Sequence, residues 1–236
     1  MTVDQLLVKL KSRINKLDSN DYDNLEVWQL LEAYNRTQLL FVRSNLHGGN
    51  IYREGDEASK RRIDDFSRLI ISYKPTLVKK KGYYEFTLPL KDYMLFKRID
   101  ITAEKCGCVG NLICYLGEEA NVNNYLSNVN LRPSFYWRET FFTMSDGKVK
   151  IYNGWEDHEE FEIKDCIFTY YRFPKFVAKA GNFSLEQQAI SPIDIDPEFS
   201  DDLVEVIISF TASLISGDIK DQFGFEVNKN VSDSSN

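Results

Sequence analysis

The chain has 236 residues with 36 acidic and 29 basic side chains, which gives a formal charge of −7, and 43% of its residues are hydrophobic. Such a chain can bury a core in one or two domains, and 12 glycines and 6 prolines are too few for a collagen-like or disordered protein. No run approaches the roughly 18 consecutive apolar residues of a transmembrane helix, and the charged amino end does not resemble a secretory signal.

The amino-terminal part, residues 1–72, predicts three helices. Thr2 and Gln5 have the spacing of a capping box, and the apolar residues after them recur at helical spacing. A second helix is predicted over residues 24–45 and a third over residues 56–72. Short links between such helices indicate a helical hairpin or a small bundle.

Residues 73–178 predict an inserted β-rich domain. Thirteen of the 32 aromatic residues lie between residues 134 and 176, among them Tyr136 and Trp137. The Ser145-Asp-Gly147 step predicts a hairpin turn between two strands. Because the predicted strands are not separated by helices, we expect an antiparallel sheet rather than a parallel βαβ sheet.

Residues 179–217 predict an irregular connector and then a returning helix. Asp196 has the position of an N-cap and Pro197 that of the first helical residue. The helix is apolar along two faces, so it is either central to a bundle or shared with a neighbouring subunit. The second face supplies the candidate subunit-interface residues, which are Val204, Ile208, Ala212 and Ile215.

The predicted fold class is therefore α+β. The amino-terminal helices and the carboxyl-terminal helix form a helical bundle, with the antiparallel β domain inserted between them. Residues 218–236 are predicted to be an acidic, mobile tail. Residues 186–236 hold 11 acidic and 2 basic residues, a balance that would repel a nucleic-acid backbone.

Lys79, Lys80 and Lys81 form a basic run beside a predicted strand. One interpretation is contact with DNA or a partner. The other is a solvated set of charges that keeps a hydrophobic strand from aggregating. We favour the second interpretation and keep the three lysines as candidate contacts.

No catalytic, cofactor-binding or metal-binding constellation stands out, and we expect a protein that is not an enzyme and has no cofactor. His47-Gly-Gly-Asn50 resembles an oxyanion loop, but the chain has no Gly-x-Ser-x-Gly elbow, so we interpret the glycines as a helix stop. Trp155-Glu-Asp-His-Glu-Glu160 surrounds His158 with carboxylates, and we interpret it as an exposed turn. The alternatives are a cytosolic metal-dependent hydrolase that uses His158, and a β-type ligand-binding module.

Four cysteines raise the question of a metal site. Reduced, buried thiols are the expected state, because the chain shows no export signal. The alternative is zinc, but structural zinc sites usually use paired Cys-x2-4-Cys knuckles, and this chain has only one Cys-x-Cys pair. The four are Cys106, Cys108, Cys114 and Cys166.

Several segments resemble the head–tail connector adaptors of short-tailed bacteriophages, the tail tubular protein A type, and the ring proteins of crAss-like phages. The resemblance covers roughly residues 24–217. The segments that carry it are Glu32-Ala-Tyr-Asn-Arg-Thr-Gln38, Tyr84-Glu-Phe-Thr-Leu-Pro-Leu-Lys-Asp-Tyr93, Lys148-Val-Lys-Ile-Tyr152, Phe168-Thr-Tyr-Tyr-Arg-Phe-Pro174 and Ile195-Asp-Pro-Glu-Phe199.

This resemblance implies a structural protein of the virion neck or tail region, made in the host cytoplasm. It implies a homo-oligomeric ring, twelve-fold in the family, that docks onto the portal protein, contacts further tail proteins and lets genomic DNA pass. No membrane partner is implied. Aromatic residues of the β insertion are candidates for interface anchors, and closure of a ring would bury the second face of the returning helix.

Overall fold

A computed structural model describes residues 1–14, 25–46, 66–89, 91–154 and 160–218, with the side chains of 217 and 218 excepted. These residues have the predicted α+β architecture. They divide into a helical unit, built from the chain up to Leu69 and from Pro174 onward, and a sheet unit, Ile70–Phe173. The sheet unit thus begins and ends a few residues before the predicted limits of 73 and 178.

Helix α1 (Val3–Ile14) begins with the predicted capping box, which is confirmed. The Thr2 N–H donates to Gln5 Oε1 at 3.1 Å, and the Gln5 N–H donates to Thr2 Oγ1 at 3.4 Å. A carboxylate from far along the chain adds to this helix start, because Asp196 Oδ1 accepts a 2.7 Å hydrogen bond from the Val3 N–H. Its negative charge complements the positive end of the helix dipole.

Helix α2 (Val27–Leu46) buries polar as well as apolar side chains. Asn35 Nδ2 donates to the Val177 carbonyl at 3.0 Å, and the Val177 N–H donates to Asn35 Oδ1 at 2.8 Å. Gln38 Nε2 donates to the Lys175 carbonyl at 3.1 Å. The amide side chains therefore give hydrogen-bond partners to backbone groups of the segment that follows the sheet unit.

The helix predicted over residues 56–72 is wrong at its carboxyl end, and its residues before 66 lie outside the described part of the chain. Ser67–Leu69 form a single 3-10 turn, and a strand, β1, occupies Ile70–Tyr73. Isoleucine is β-branched and favours strands, and these residues gain ladder hydrogen bonds by pairing with Phe168–Tyr171. Strand pairing therefore overrides the helical spacing of the apolar residues.

The described residues of the sheet unit form eight strands. They are β1 (Ile70–Tyr73), β2 (Val78–Lys80), β3 (Tyr83–Thr87), β4 (Tyr93–Lys105), β5 (Cys108–Leu116), β6 (Glu139–Ser145), β7 (Lys148–Tyr152) and β8 (Glu162–Arg172). Their order across the sheet is β1-β8-β4-β5-β6-β7-β3-β2. β1 and β8, which are the first and last strands of the unit, pair with each other, so the two ends of the insertion lie side by side.

The sheet is mostly antiparallel, as predicted, and one neighbouring pair, β5 with β6, is parallel. A parallel pair needs a crossover connection, because a tight hairpin can join only antiparallel strands. Residues 117–138 provide this crossover and include a 3-10 turn, Glu119–Asn121, and a short helix, α3 (Val122–Ser127).

Aromatic rings fill the core of the sheet unit. The Phe168 ring is fully buried, and its centroid lies 5.5 Å from those of Phe86 and Phe96. Phe96 in turn lies 5.0 Å from Phe142. These separations lie in the range in which tilted aromatic pairs attract each other.

Two tight turns complete the local structure. Asp146 and Gly147 join β6 to β7 with φ angles of 49° and 67°, and positive φ at both central residues is typical of the type I′ hairpin turn. The connector predicted to be irregular contains a small hairpin, β9 (Phe183–Ser184) with β10 (Ala189–Ile190).

The last described helix, α4 (Asp201–Asp218), begins later than predicted. Asp196 does not cap it, because the Asp196 carboxylate binds the Val3 N–H and a backbone bridge holds Ile195 beside Ala178. Both α1 and α2 pack against α4, so it is the central helix of its unit. None of the helices within the described ranges is long and apolar enough to cross a membrane.

Candidate interaction surfaces

The predicted subunit-interface face of α4 is not available to other copies of the chain, and that prediction is wrong. Of the four candidate residues, Val204, Ile208 and Ala212 are fully buried within the single chain, and Ile215 is nearly fully buried. The physical reason is that α1 and α2 cover the helix on two faces. Of the two explanations for its apolar faces, the central helix of a bundle is the correct one.

The basic run lies at an edge of the sheet. Lys79 and Lys80 belong to β2, the last strand in the sheet order, and Lys81 follows in the turn to β3. All three side chains are exposed. Lysines on an edge strand disfavour pairing with other chains, so the position suits the interpretation as aggregation-preventing charges and also leaves the lysines accessible to a polyanion. Contact with DNA or a partner remains a prediction.

The cysteines do not form one site. Cys106 and Cys108 are exposed at the turn between β4 and β5, whereas Cys166 is buried in the core. Burial, and after it the neighbouring Asp165 and Asp100 carboxylates, raises the pKa of Cys166 to about 12, and burial also raises the pKa of Cys114. Both therefore remain protonated thiols, which are poor metal ligands and poor nucleophiles.

The described residues do not bring the candidate metal-binding or catalytic residues together in a site. No group of three or more His, Cys, Asp or Glu side chains there could hold a metal ion. His47-Gly-Gly-Asn50 and residues 155–159, with His158, lie outside those ranges.

The outer face of β5 exposes an apolar row. Val109, Ile113 and Tyr115 alternate with residues of the opposite face, where Leu112 is buried. Since successive side chains of a strand point to opposite faces, the three odd-numbered residues share one face. More than half of each side chain is exposed.

A rigid turn beside β5 presents two further aromatic side chains. Tyr136 is 84% exposed and Trp137 is 72% exposed, and their ring centroids lie 5.2 Å apart in an edge-to-face arrangement. Two backbone hydrogen bonds between Ser134 and Glu139, of 2.8 and 3.1 Å, close the turn. The Arg138 carbonyl accepts a 2.7 Å hydrogen bond from the Ile113 N–H, which fixes the turn to β5.

We name Val109, Ile113, Tyr115, Tyr136 and Trp137 surface A. An aromatic side chain presents about 150–250 Å², so the three aromatic residues alone expose roughly 300–500 Å². The largest apolar patch on a monomeric protein is typically about 300–600 Å², before the two aliphatic residues are added here. The exposed apolar area of these residues is therefore comparable to that of the largest patches on monomeric proteins, which are often binding sites.

A second apolar group occupies the β9–β10 hairpin of the helical unit. Phe183 and Ile190 face each other across the hairpin, and Leu185 and Ile193 lie beside them in the chain. All four are exposed, and we name them surface B. Residues 183–202 include six acidic residues and no basic one, but several of these carboxylates already have partners, among them Asp194 with Lys179 at 3.2 Å and Asp201 with the amino terminus at 2.6 Å.

A carboxyl pair lies next to surface B in a cavity lined by α2 and the hairpin. Glu32 from α2 and Glu186 from the hairpin both line this cavity. Burial raises the pKa of Glu32, the Glu186 carboxyl raises it further, and Arg36 opposes the rise. Glu32 Oε2 is enclosed without a hydrogen-bond partner among the described residues. Both the burial of Glu32 and the neighbouring Glu186 carboxyl thus disfavour the ionised form of Glu32.

Sequence reasoning missed surfaces A and B as groups. In β5 the residues of both faces are apolar from Leu112 to Leu116, so periodicity cannot tell an exposed row from a buried one. A usable signal was the Tyr136-Trp137-Arg138 step, because Tyr, Trp and Arg are the residue types enriched at binding hot spots.

No protein-family model matches the chain, and no curated protein matches it significantly.

Proposed function

We propose that the chain is a structural protein of a tailed-phage particle. In this proposal it forms an oligomeric neck or connector ring between portal and tail, through which DNA passes. The order of its elements supports the proposal, since helices from both ends of the chain with an inserted sheet are what the resemblance implies. The single observation that carries it is surface A, because exposed aromatic and β-branched side chains in a group of this size often mark a binding site for another protein.

The chemistry of surface A suits a protein partner. Its exposed residues are aromatic and β-branched, and charged side chains flank them. Arg98 and Asp100 form one such pair at 3.1 Å, and Lys164 and Glu104 form another at 3.1 Å. An apolar centre with a polar rim is the usual anatomy of a protein interface.

The proposal is tested in particles. We expect phage particles assembled without this chain to have DNA-filled heads that lack tails, and electron images of complete particles to place a labelled copy at the neck. Purified protein should also form rings or arcs visible by negative-stain microscopy. Normal tailed particles in the absence of the chain, or a chain found in infected cells but never in particles, would refute the proposal.

A further inference from the structure

We propose that Cys106 and Cys108 form a redox-active dithiol site, at which a small disulfide such as oxidised glutathione closes an internal disulfide bond. The two thiols lie at the tip of the hairpin between β4 and β5, and Gly107 alone separates them in the chain. The inference goes beyond the proposed function and does not depend on it, because it concerns the chemistry of this turn and not the position of the chain in a particle.

Both thiols are open to reagents. Cys106 and Cys108 are exposed, whereas Cys114 is partly buried and Cys166 is buried. The space between the pair is also open, since a Cβ added at Gly107 would meet no atom within 4 Å. Access is one of the factors that set the rate of thiol–disulfide exchange, so the reaction can occur at this pair without unfolding of the chain.

The shape of the turn brings the two residues close together. Lys105 and Cys108 pair across the hairpin, so only Cys106 and Gly107 form the turn, with φ angles of 52° and 79°. A helical turn, which has the same dimensions in its left-handed form, places Cα atoms two residues apart at about 5.4 Å. Disulfide bonds usually join Cα atoms about 4.4–6.8 Å apart. The Cα separation that this turn shape gives therefore suits an internal disulfide bond.

The residue type at position 106 points to a role for its thiol. The turn between β6 and β7 has nearly the same geometry, with φ angles of 49° at Asp146 and 67° at Gly147. Aspartate or asparagine before glycine is the usual choice for such a turn, because both tolerate a positive φ better than most other residues with a side chain. Cys106 takes the position of the aspartate without this advantage. Turn chemistry thus does not select a cysteine here, and the second thiol two residues later gives the choice a chemical reason.

The reaction proceeds in two exchange steps. The thiolate of one cysteine attacks a sulfur of the small disulfide, whose S–S bond breaks, so that a mixed disulfide forms and one small thiolate leaves. The thiolate of the other cysteine then attacks the protein sulfur of the mixed disulfide and releases the second small thiolate. The two protons lost by the cysteines end on the two small thiols, and the two electrons that the pair gives up reduce the small disulfide.

The test treats the reduced full-length protein with oxidised glutathione at mildly alkaline pH, where thiolates form, and follows the intact mass and the peptide map. We expect the wild type to lose the mass of two hydrogens, with the new bond mapped to Cys106 and Cys108. Cys114 and Cys166 should stay free, because burial raises the pKa of both and keeps them as protonated thiols.

Two variants separate the members of the pair. Cys106→Asn gives the turn a preferred residue, and Cys108→Thr keeps the strand preference of its position, so both should fold with the circular dichroism spectrum of the wild type. Each should stop at the mixed disulfide. This glutathione adduct should be at least about tenfold more abundant than in the wild type, where the neighbouring thiol displaces glutathione at high effective concentration.

Cys114→Ala is the matched control, because it removes a thiol outside the pair and should form the internal disulfide as the wild type does. Any of four results would overturn the inference. They are mixed disulfides that persist at both positions of the wild type, a covalent dimer in place of the internal bond, an internal disulfide that still forms in Cys106→Asn or Cys108→Thr, and exposed thiols that do not react.

Discussion

At the scale of single residues, the side-chain amide of Asn35 pairs with the backbone of Val177 as a neighbouring strand would. This amide satisfies both the carbonyl and the N–H of Val177 from within a buried site. Asn35→Leu keeps the volume but leaves two buried backbone groups without partners, each worth about 1–3 kcal/mol. We therefore expect the free energy of unfolding of the helical unit to fall by about 2–4 kcal/mol, measured by urea denaturation followed by helical circular dichroism.

Asn45→Leu is the matched control, since Asn45 lies on the same helix and its side-chain amide donates to the Phe41 carbonyl of that helix rather than to a distant segment. It should cost less than about 1 kcal/mol. Equal losses for the two variants would show that the Val177 hydrogen bonds contribute no specific stability.

Glu32 predicts a pH dependence of stability. Its pKa is raised in the folded chain by burial and by Glu186, so the folded state keeps this proton at pH values where the unfolded chain has released it. The contribution of Glu32 to stability is thus lost as pH rises from the unfolded pKa of about 4.3 through the raised folded pKa. Glu32→Gln should raise the melting temperature relative to wild type at pH 7 and leave it unchanged at about pH 3.5.

Glu186→Gln provides the companion measurement. It removes the neighbour that reinforces the raised pKa of Glu32, so it should also stabilise the chain at pH 7. The double variant should gain less than the sum of the two single gains, because they relieve the same repulsion. A Glu32→Gln variant that is less stable than wild type at pH 7 would contradict this account.

The role of a residue was predictable when its partner lies close to it along the chain. The capping box of Thr2 with Gln5 and the Asp146-Gly147 turn involve neighbours only, so residue type and spacing were enough. Asp196 satisfied the same local rules for an N-cap, but its carboxylate binds Val3, 193 residues away. Rules based on neighbouring residues cannot predict a hydrogen bond between residues so far apart in the chain.

At the scale of elements, α4 is a core helix. Ile208 is fully buried beneath the helices that flank α4, and Ile208→Ala should cost about 2–5 kcal/mol of unfolding free energy through lost burial and the cavity left behind. The measurement is chemical denaturation monitored by circular dichroism. The oligomeric state of the folded protein should not change.

Leu214→Ala on the same helix is the control, because Leu214 is 42% exposed. Its cost should stay below about 1 kcal/mol. If Ile208→Ala instead left stability intact and dissolved an oligomer, the buried position of α4 would be refuted and its second apolar face would again be the subunit contact.

Whether a segment forms a helix or a strand was predictable where its residue pattern fits only one of the two. The apolar spacing of α2 and the Ser145-Asp-Gly147 turn between β6 and β7 gave the right elements with small errors at the ends. Ile70 and Ile71 fit both a helix end and a strand, and only the partner β8 decides between them. Surface A depended on knowing which face of β5 the core covers, which is a property of the whole sheet unit.

At the scale of the whole molecule, the inserted sheet has the connectivity of a separable part. Ile70 pairs with Tyr171, so the two ends of the insertion leave the sheet unit as neighbours. The sheet unit also has its own core of aromatic and aliphatic side chains. A chain segment with adjacent ends and its own core can be removed or expressed alone without stretching what remains.

We therefore expect residues 70–173 expressed alone to fold, and a chain in which a short Gly/Ser linker replaces them to keep its helices. The first should show β-type circular dichroism and a cooperative thermal transition that Phe168→Ala abolishes or lowers by several degrees, because Phe168 is at the centre of that core. The chain with the linker should keep a helical circular dichroism spectrum in the absence of the sheet unit, and Ile208→Ala should weaken that spectrum. Each core variant thus serves as the control for the other piece. If either piece were unfolded while the full chain is folded, the two units would depend on each other for stability, and the insertion would not be a separately folding domain.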